Sequence, residues 1–205
     1  HHHKSVLKVF NDRKPVFVLN KNYERDSNLR SLFLGLEKII KEKIFNINEG
    51  VLVIEADSFF HSELLEKFLK HINYLNFSKE FVNKICWTTK GNAMPEDNGG
   101  FIDPFENSSN NKYGDVQDIY IKTYPNNKKT MKMYGITWFN HYAAIDWYLK
   151  AKSFLSNKDS YELTGYFHEI IFDNFSCFSN SYYDLGSNAL SFNDFEEYSK
   201  CLDLY

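Results

Sequence analysis

The first third of the chain alternates between continuous apolar runs and amphipathic segments, and this constrains the fold more than any other feature. Residues 15–19 (PVFVL) form a short β-branched run bounded by Pro15 and Asn20, the pattern of a buried strand. Leu29, Leu32, Phe33, Leu36, Ile39 and Ile40 then recur at three- and four-residue spacing, which predicts a helix over 29–43. After Asn48-Glu49-Gly50 comes VLVIEAD, a second continuous apolar strand that ends on an acid. Leu64, Leu65, Phe68, Leu69 and Ile72 follow as a second amphipathic helix. Strands that are apolar on both faces, set between helices, predict a sheet covered on both sides. The expected class is therefore α/β, a Rossmann-like three-layer α/β/α domain with a mostly parallel mixed sheet. Sites in such sheets gather at the carboxyl ends of the strands.

The rest of the chain supports one domain. Its 205 residues suffice for one substantial core. Residues 85–90, 118–124 and 133–139 read as strands. Residues 142–155, 162–172 and 195–205 read as helices, the last with Asn193 or Asp194 as N-cap. The Gly-, Asn-, Ser- and Asp-rich stretches 91–111 and 173–193 read as loops, the first with at most a hairpin. His1–His3 read as a tag remnant, leaving 4–205 as the domain.

Composition excludes several classes. Lys+Arg number 24 against 27 Asp+Glu, without the basic excess that phosphate-backbone binding favours, so nucleic acid is not expected as a partner. No apolar run approaches the roughly 20 residues of a membrane span, and there is no secretory pattern. Cys86, Cys177 and Cys201 are odd in number and widely spaced, which fits neither a disulfide framework nor a zinc site and points to a reducing, cytoplasmic setting.

Three places could carry chemistry. Asp57 closes the VLVIEAD strand before a loop, where a carboxylate is well placed to hold a hard cation such as Mg²⁺; a turn cap by Asp57 or Ser58 is the plainer alternative. Asp184, in SYYDLGS two residues before Gly186, could supply a second carboxylate to the same metal, or be a solvated turn residue. NKNYERDSNLRSL (20–32) offers amide and hydroxyl groups after a strand, a common binding position, against simple capping by Ser27 or Asn28. Glu162 and Glu169 share a helix face, solvated or turned to a substrate. His61, His71, His141 and His168 lack ligand spacing and read as packing or surface groups. Trp87, Trp138 and Trp147 read as core.

Together these segments resemble the nucleotidyltransferase superfamily, in particular the bacterial phosphocholine cytidylyltransferases and sugar-1-phosphate nucleotidyltransferases. The 20–32 segment resembles that group's Asn-x-x-Tyr-x-x-x-Asn-x-x-x-Ser pattern through Asn20, Tyr23, Asn28 and Ser31. VLVIEAD resembles the strand ending on the first metal acid, Asp57. YGITWF resembles the Gly-Ile-x-x-Phe strand on the acceptor side, and YYDLGS the motif with the second metal acid, Asp184. The resemblance implies a GT-A-like nucleotidyltransferase fold and Mg²⁺ held by Asp57 and Asp184. It implies nucleotide or acceptor contacts from Asn20, Tyr23, Asn28 and Ser31, with Glu169 meeting the acceptor. It further implies transfer from a nucleoside triphosphate, CTP foremost, to a small phosphorylated acceptor with loss of pyrophosphate. A homo-oligomer is compatible with it.

Two departures matter. The family's first strand and Gly-rich phosphate-binding loop have no counterpart in these residues. SNALSF extends the chain after Asp184, and an alternative register sets Ser191 and Asn193 where the second acid belongs. A GT-A glycosyltransferase using a nucleotide-sugar, and a truncated non-catalytic nucleotide-binding relative, remain the rival readings. The usual Asp-x-Asp of the former is absent, since Ser58 and Phe59 follow Asp57.

Overall fold

A computed structural model describes residues 16–21, 28–44, 50–76, 82–106, 112–122, 124–125, 129–157, 165–192 and 195–203. In chain order its elements are helix α1 (Asn28–Lys41), strands β1 (Val51–Ile54) and β2 (Ser58–Phe59), and helix α2 (Ser62–Asn76). Strands β3 (Lys84–Asn92), β4 (Gly100–Pro104), β5 (Tyr113–Ile121) and β6 (Met131–Phe139) follow. Helices α3 (His141–Ser156) and α4 (Phe167–Phe172), strands β7 (Ser179–Asp184) and β8 (Leu190–Ser191), and helix α5 (Phe195–Asp203) complete it.

Six strands form one sheet in the order β1-β6-β3-β7-β5-β4, and β4 also touches β6. Strands β1, β3, β4 and β7 run one way, β5 and β6 the other. The sheet is mixed, as expected, and most of its strands share one direction. Its neighbouring pairs are nevertheless antiparallel except β3 with β7, because β5 and β6 are interleaved among the others.

Three layers follow from strand alternation. On β3, Ile85 and Trp87 join one core while Cys86 joins the other. On β6, Met133 and Phe139 join the first while Tyr134, Ile136 and Trp138 join the second. The first core is closed by α1, α3 and α4 through Leu29, Leu36, Trp147 and Phe167. The second is closed by α2 through Phe68 and Ile72. Each fully buried Phe or Ile contributes roughly 1.5–3 kcal/mol. Asn140 ties α3 to β3: its Oδ1 accepts from Ala143 N at 2.8 Å and Lys84 N at 3.1 Å.

Three expectations change. Residues 16–19 are not a buried strand: Val16, Phe17, Val18 and Leu19 are 58, 44, 41 and 73% exposed and belong to no strand. A β-branched run becomes a strand only beside a partner that takes its N–H and C=O groups. Among the described residues the outer strand β1 pairs with β6 alone. The helix expected over 162–172 is shorter, since Gly165 and Tyr166 are not helical and α4 begins at Phe167. The loop expected over 173–193 contains the central strand β7. Its inward positions include Asn180, whose Oδ1 accepts from Trp87 Nε1 at 3.0 Å, so its apolar alternation is broken by a satisfied polar group. Asn193 and Asp194 lie outside the described residues.

Candidate functional site

A concavity of about 440 Å³ opens where β1 and β3 end and β6 begins. Glu55, Asp57, Lys90, Lys132, His168 and Glu197 are among its walls. Its construction starts at β1, which runs beside β6 from Val51↔Phe139 to Ile54↔Ile136. Glu55 N then donates to Gly135 O at 2.7 Å, and Ser58 N to Glu55 O at 3.2 Å, turning the chain at Asp57. The β2–β8 ribbon pairs Ser58 with Ser191, and Phe192 N donates to Asp57 O at 3.1 Å. Tyr134 Oη sits 2.9 Å from Phe59 O and 2.8 Å from Leu190 O, holding both ribbon strands.

Gly135 is required by contact, not by backbone conformation. A Cβ there would meet Ser58 Oγ and stand 2.9 Å from Glu55 Cβ, so the acidic turn packs directly on the bare backbone of β6.

Charge is concentrated in this pocket. Burial, then the nearby Asp57 charge, raises the pKa of Glu55. Lys132 is pushed down to about 8, first by burial and then by Lys90. Its Nζ donates to Gly100 O at 3.3 Å and lies 5.2 Å from the Phe101 ring centre. Lys90 Nζ stands 3.9 Å from Asp97. His168, stacked on Trp87 with ring centres 5.4 Å apart, is pushed down to about 3 by burial, with Lys132 adding to it. It is a neutral imidazole at physiological pH.

The expected site residues divide. Asp57 lines the pocket. Asp184 is not among the lining residues: its Oδ1 accepts from Thr89 Oγ1 at 2.9 Å, Gly91 N at 2.9 Å and Gly186 N at 3.1 Å, fastening the ends of β3 and β7 beside the pocket-lining Lys90. Ser191, the alternative in the second register, does line it. Asn28 is outside the cavity but holds its wall, donating from Nδ2 to Glu55 Oε1 at 2.8 Å and accepting Phe167 N at 2.9 Å. Asn20 Nδ2 reaches Ser31 Oγ at 3.3 Å, a pair away from the cavity lining. Glu169 faces Lys122 at 3.7 Å rather than the cavity. Tyr23 lies outside the described residues.

Glu55, Lys90, Lys132 and His168 were not singled out as site residues from sequence. The acid two places before Asp57 and the lysine opening the MYGITWF strand were the available signals. Nothing in the sequence marked His168, whose ring is placed by α4.

Among the described residues no group of three or more His, Cys, Asp or Glu is arranged to hold a metal. Mg²⁺ asks for less, usually one or two carboxylates with water and substrate phosphates completing the shell. The donors fit: Asp57 and Glu55 share the pocket, and Ser58 Oγ beside them is buried with no hydrogen-bond partner among the described residues. No helix among the described residues is long and apolar enough to cross a membrane.

No protein-family model matches the chain and no curated protein is similar to it. Solved structures are. CTP:phosphocholine cytidylyltransferase from Streptococcus pneumoniae matches with TM-score 0.60 at 16% identity, over 98% of this chain and 74% of that one. A UDP-glucose pyrophosphorylase complexed with UDP-glucose matches with TM-score 0.67 at 14% identity, over 98% and 69%. A nucleoside-diphosphate-sugar pyrophosphorylase from Vibrio cholerae RC9 matches with TM-score 0.53 at 16% identity, over 87% and 65%. At these identities the likeness is one of fold: a Rossmann-like α/β nucleotidyltransferase fold.

Proposed function

We propose that this chain is a Mg²⁺-dependent nucleotidyltransferase of the cytoplasm. It would move a nucleotidyl group from a nucleoside triphosphate, CTP foremost, to a small phosphorylated acceptor such as phosphocholine or a sugar phosphate. An oxygen of the acceptor phosphate bonds to the α-phosphorus, the bond from that phosphorus to the bridging oxygen breaks, and pyrophosphate leaves. The observation that carries the reading is one pocket at the strand ends in which Asp57 and Glu55 share the lining with Lys90 and Lys132, on a fold shared with solved nucleotidyltransferases.

The protein's part is positioning and charge neutralisation, which dominate in transfers at phosphorus. Asp57 and Glu55, with Ser58 Oγ, would hold the Mg²⁺. When bound, the metal neutralises phosphate charge. Asn28 keeps the Glu55 carboxylate turned to the pocket through its 2.8 Å bond. Gly135 lets the acidic turn approach β6. Asp184 fixes the ends of β3 and β7, and so the strand that carries Lys90.

The test is a thermal-unfolding panel with each nucleoside triphosphate and several nucleotide-sugars, with and without Mg²⁺, run beside Asp57→Asn. A ligand at 100 times its Kd adds about 2.7 kcal/mol. The reading expects a Mg²⁺-dependent rise with a triphosphate that the variant loses. A rise with nucleotide-sugars alone would transfer the site to the glycosyltransferase reading, and a flat panel would end both.

A further inference from the structure

A second cavity, of about 480 Å³, opens against the β2–β8 ribbon, and no step at the Asp57 pocket uses it. Side chains alternate along a strand, and β8 divides accordingly: Ser191 lines the Asp57 pocket while its neighbour Leu190 lines this cavity. His61, Glu63 and Lys67, at the entry and first turns of α2, form one wall. Ser187, Asn188 and Leu190, from the connection between β7 and β8, form the other. The volume falls within the roughly 300–1,000 Å³ of small-molecule sites. The SNALSF stretch that extends the chain after Asp184 thereby acquires a place, since its first two residues are walls of the cavity.

Those two residues stand on a pinned turn. Asp184 Oδ1 accepts from Gly186 N at 3.1 Å, and Ala189 N donates to Gly186 O at 3.2 Å. Gly186 has φ of +75°, which glycine adopts without strain. Ala189 is 1% exposed, within the second core. Ser187 and Asn188, between these anchors, are exposed. On α2, Glu63 N donates to His61 Nδ1 at 3.4 Å, and Lys67 Nζ stands 3.8 Å from Glu63.

The lining selects its ligand by exclusion. Glu63 and Lys67 cancel, so neither an anion nor a cation meets a net opposite charge. No Phe, Tyr or Trp is among the described walls, so a flat aromatic ligand has nothing to stack on. What remains is a hydroxyl and an amide that both donate and accept, a carboxylate that accepts and an ammonium that donates. Leu64 and Leu190 add an apolar flank. That set matches several hydroxyls carried on an aliphatic ring. We propose that this cavity is a second binding site, taking a neutral glycosyl unit across the ribbon from the Asp57 pocket. It draws on no residue of that pocket and stands independently of the nucleotidyl-transfer reading.

The experiment is saturation-transfer NMR titration of the full chain with glucose, galactose and N-acetylglucosamine, with choline and pyrophosphate as charged probes. Wild type, Ser187→Ala, Asn188→Ala and Asp57→Asn are compared. Losing one neutral hydrogen bond weakens binding by about threefold to tenfold. The site predicts that at least one saccharide binds wild type, that Ser187→Ala and Asn188→Ala weaken it to that extent, and that Asp57→Asn leaves it unchanged. No saccharide bound at millimolar concentration would overturn the proposal. So would a saccharide lost in Asp57→Asn and kept in the other two variants, which would place it in the Asp57 pocket. Hydrogen exchange of wild type needs no variant to fold: the bound saccharide should protect residues 61–67 and 186–191. Exchange unaltered in both segments overturns the site, and equal protection by choline or pyrophosphate overturns the ligand class.

Discussion

Replacing Lys132 by Met should stabilise the protein at neutral pH. Burial and the charge of Lys90 lower its pKa from 10.5 to about 8, and at about 1.36 kcal/mol per pKa unit the charged form costs the fold about 3 kcal/mol. Met keeps the length and apolar stem of the lysine. It gives up the contact with Phe101 and the hydrogen bond to Gly100 O, together worth about 1–2 kcal/mol. A net gain of about 1–2 kcal/mol remains, and for a chain of this size each kcal/mol moves Tm by roughly 2–4 °C.

The sign with pH is fixed by linkage. The folded pKa lies below the unfolded one, so between about pH 8 and 10.5 the unfolded chain holds more protons and wild-type stability gains as pH rises. The advantage of Lys132→Met should therefore be full at pH 7 and shrink above pH 8. Urea unfolding of both proteins at pH 7 and pH 10 reads this difference directly, with titrations elsewhere in the chain cancelling between them. A variant less stable than wild type at pH 7, or a difference that does not change with pH, would refute the reasoning: Lys132 would then be a structural cation.

Three further outcomes are expected. Gly135→Ala drives a methyl into Ser58 and Glu55, so it should cost about 1–3 kcal/mol in denaturant unfolding and weaken Mg²⁺-dependent ligand binding; unaltered stability and binding would show that the turn yields. Asn28→Ala leaves Glu55 and the Phe167 N–H without their partner and should cost about 2 kcal/mol, measured by the same unfolding curves. His168, pushed down to about 3 by burial and Lys132, is neutral when folded, so stability present above the unfolded value of 6.5 is lost as pH falls below it. Acid unfolding of His168→Gln should be shallower by up to about 1.4 kcal/mol per pH unit, and identical acid limbs would contradict this.

The architecture was legible in the sequence where period and burial agreed. The 3.6-residue recurrence of Leu29, Leu32, Leu36 and Ile40 gave α1, and the continuous VLVI run gave β1, because both segments meet their partners in the way their patterns require. Residues 16–19 carried the same composition without a paired neighbour, a fact no local pattern contains. Strand β7 was hidden for the opposite reason, since Asn180 is buried but bonded to Trp87, and a satisfied polar group erases alternation. Within the site, Asp57 was readable from its place at a strand end. Lys132 and His168 owe their character to desolvation and to Trp87, Gly99 and Lys90, which come together only in three dimensions. The hydrogen bonds of Asp184 to Thr89 and Gly91 likewise follow from the β3–β7 register, which sets Thr89 against Asp184 and which no local pattern contains.

The central claim is transfer of a nucleotidyl group at the Asp57 pocket, and the most direct measurement is pyrophosphate release. The chain is incubated with Mg²⁺, each nucleoside triphosphate in turn, and phosphocholine or glucose 1-phosphate, beside Asp57→Asn. The account predicts pyrophosphate that requires triphosphate, acceptor and Mg²⁺ together, and that falls by at least about a hundredfold in the variant. Pyrophosphate released at the same rate by Asp57→Asn, or none from wild type with any pair, would contradict it.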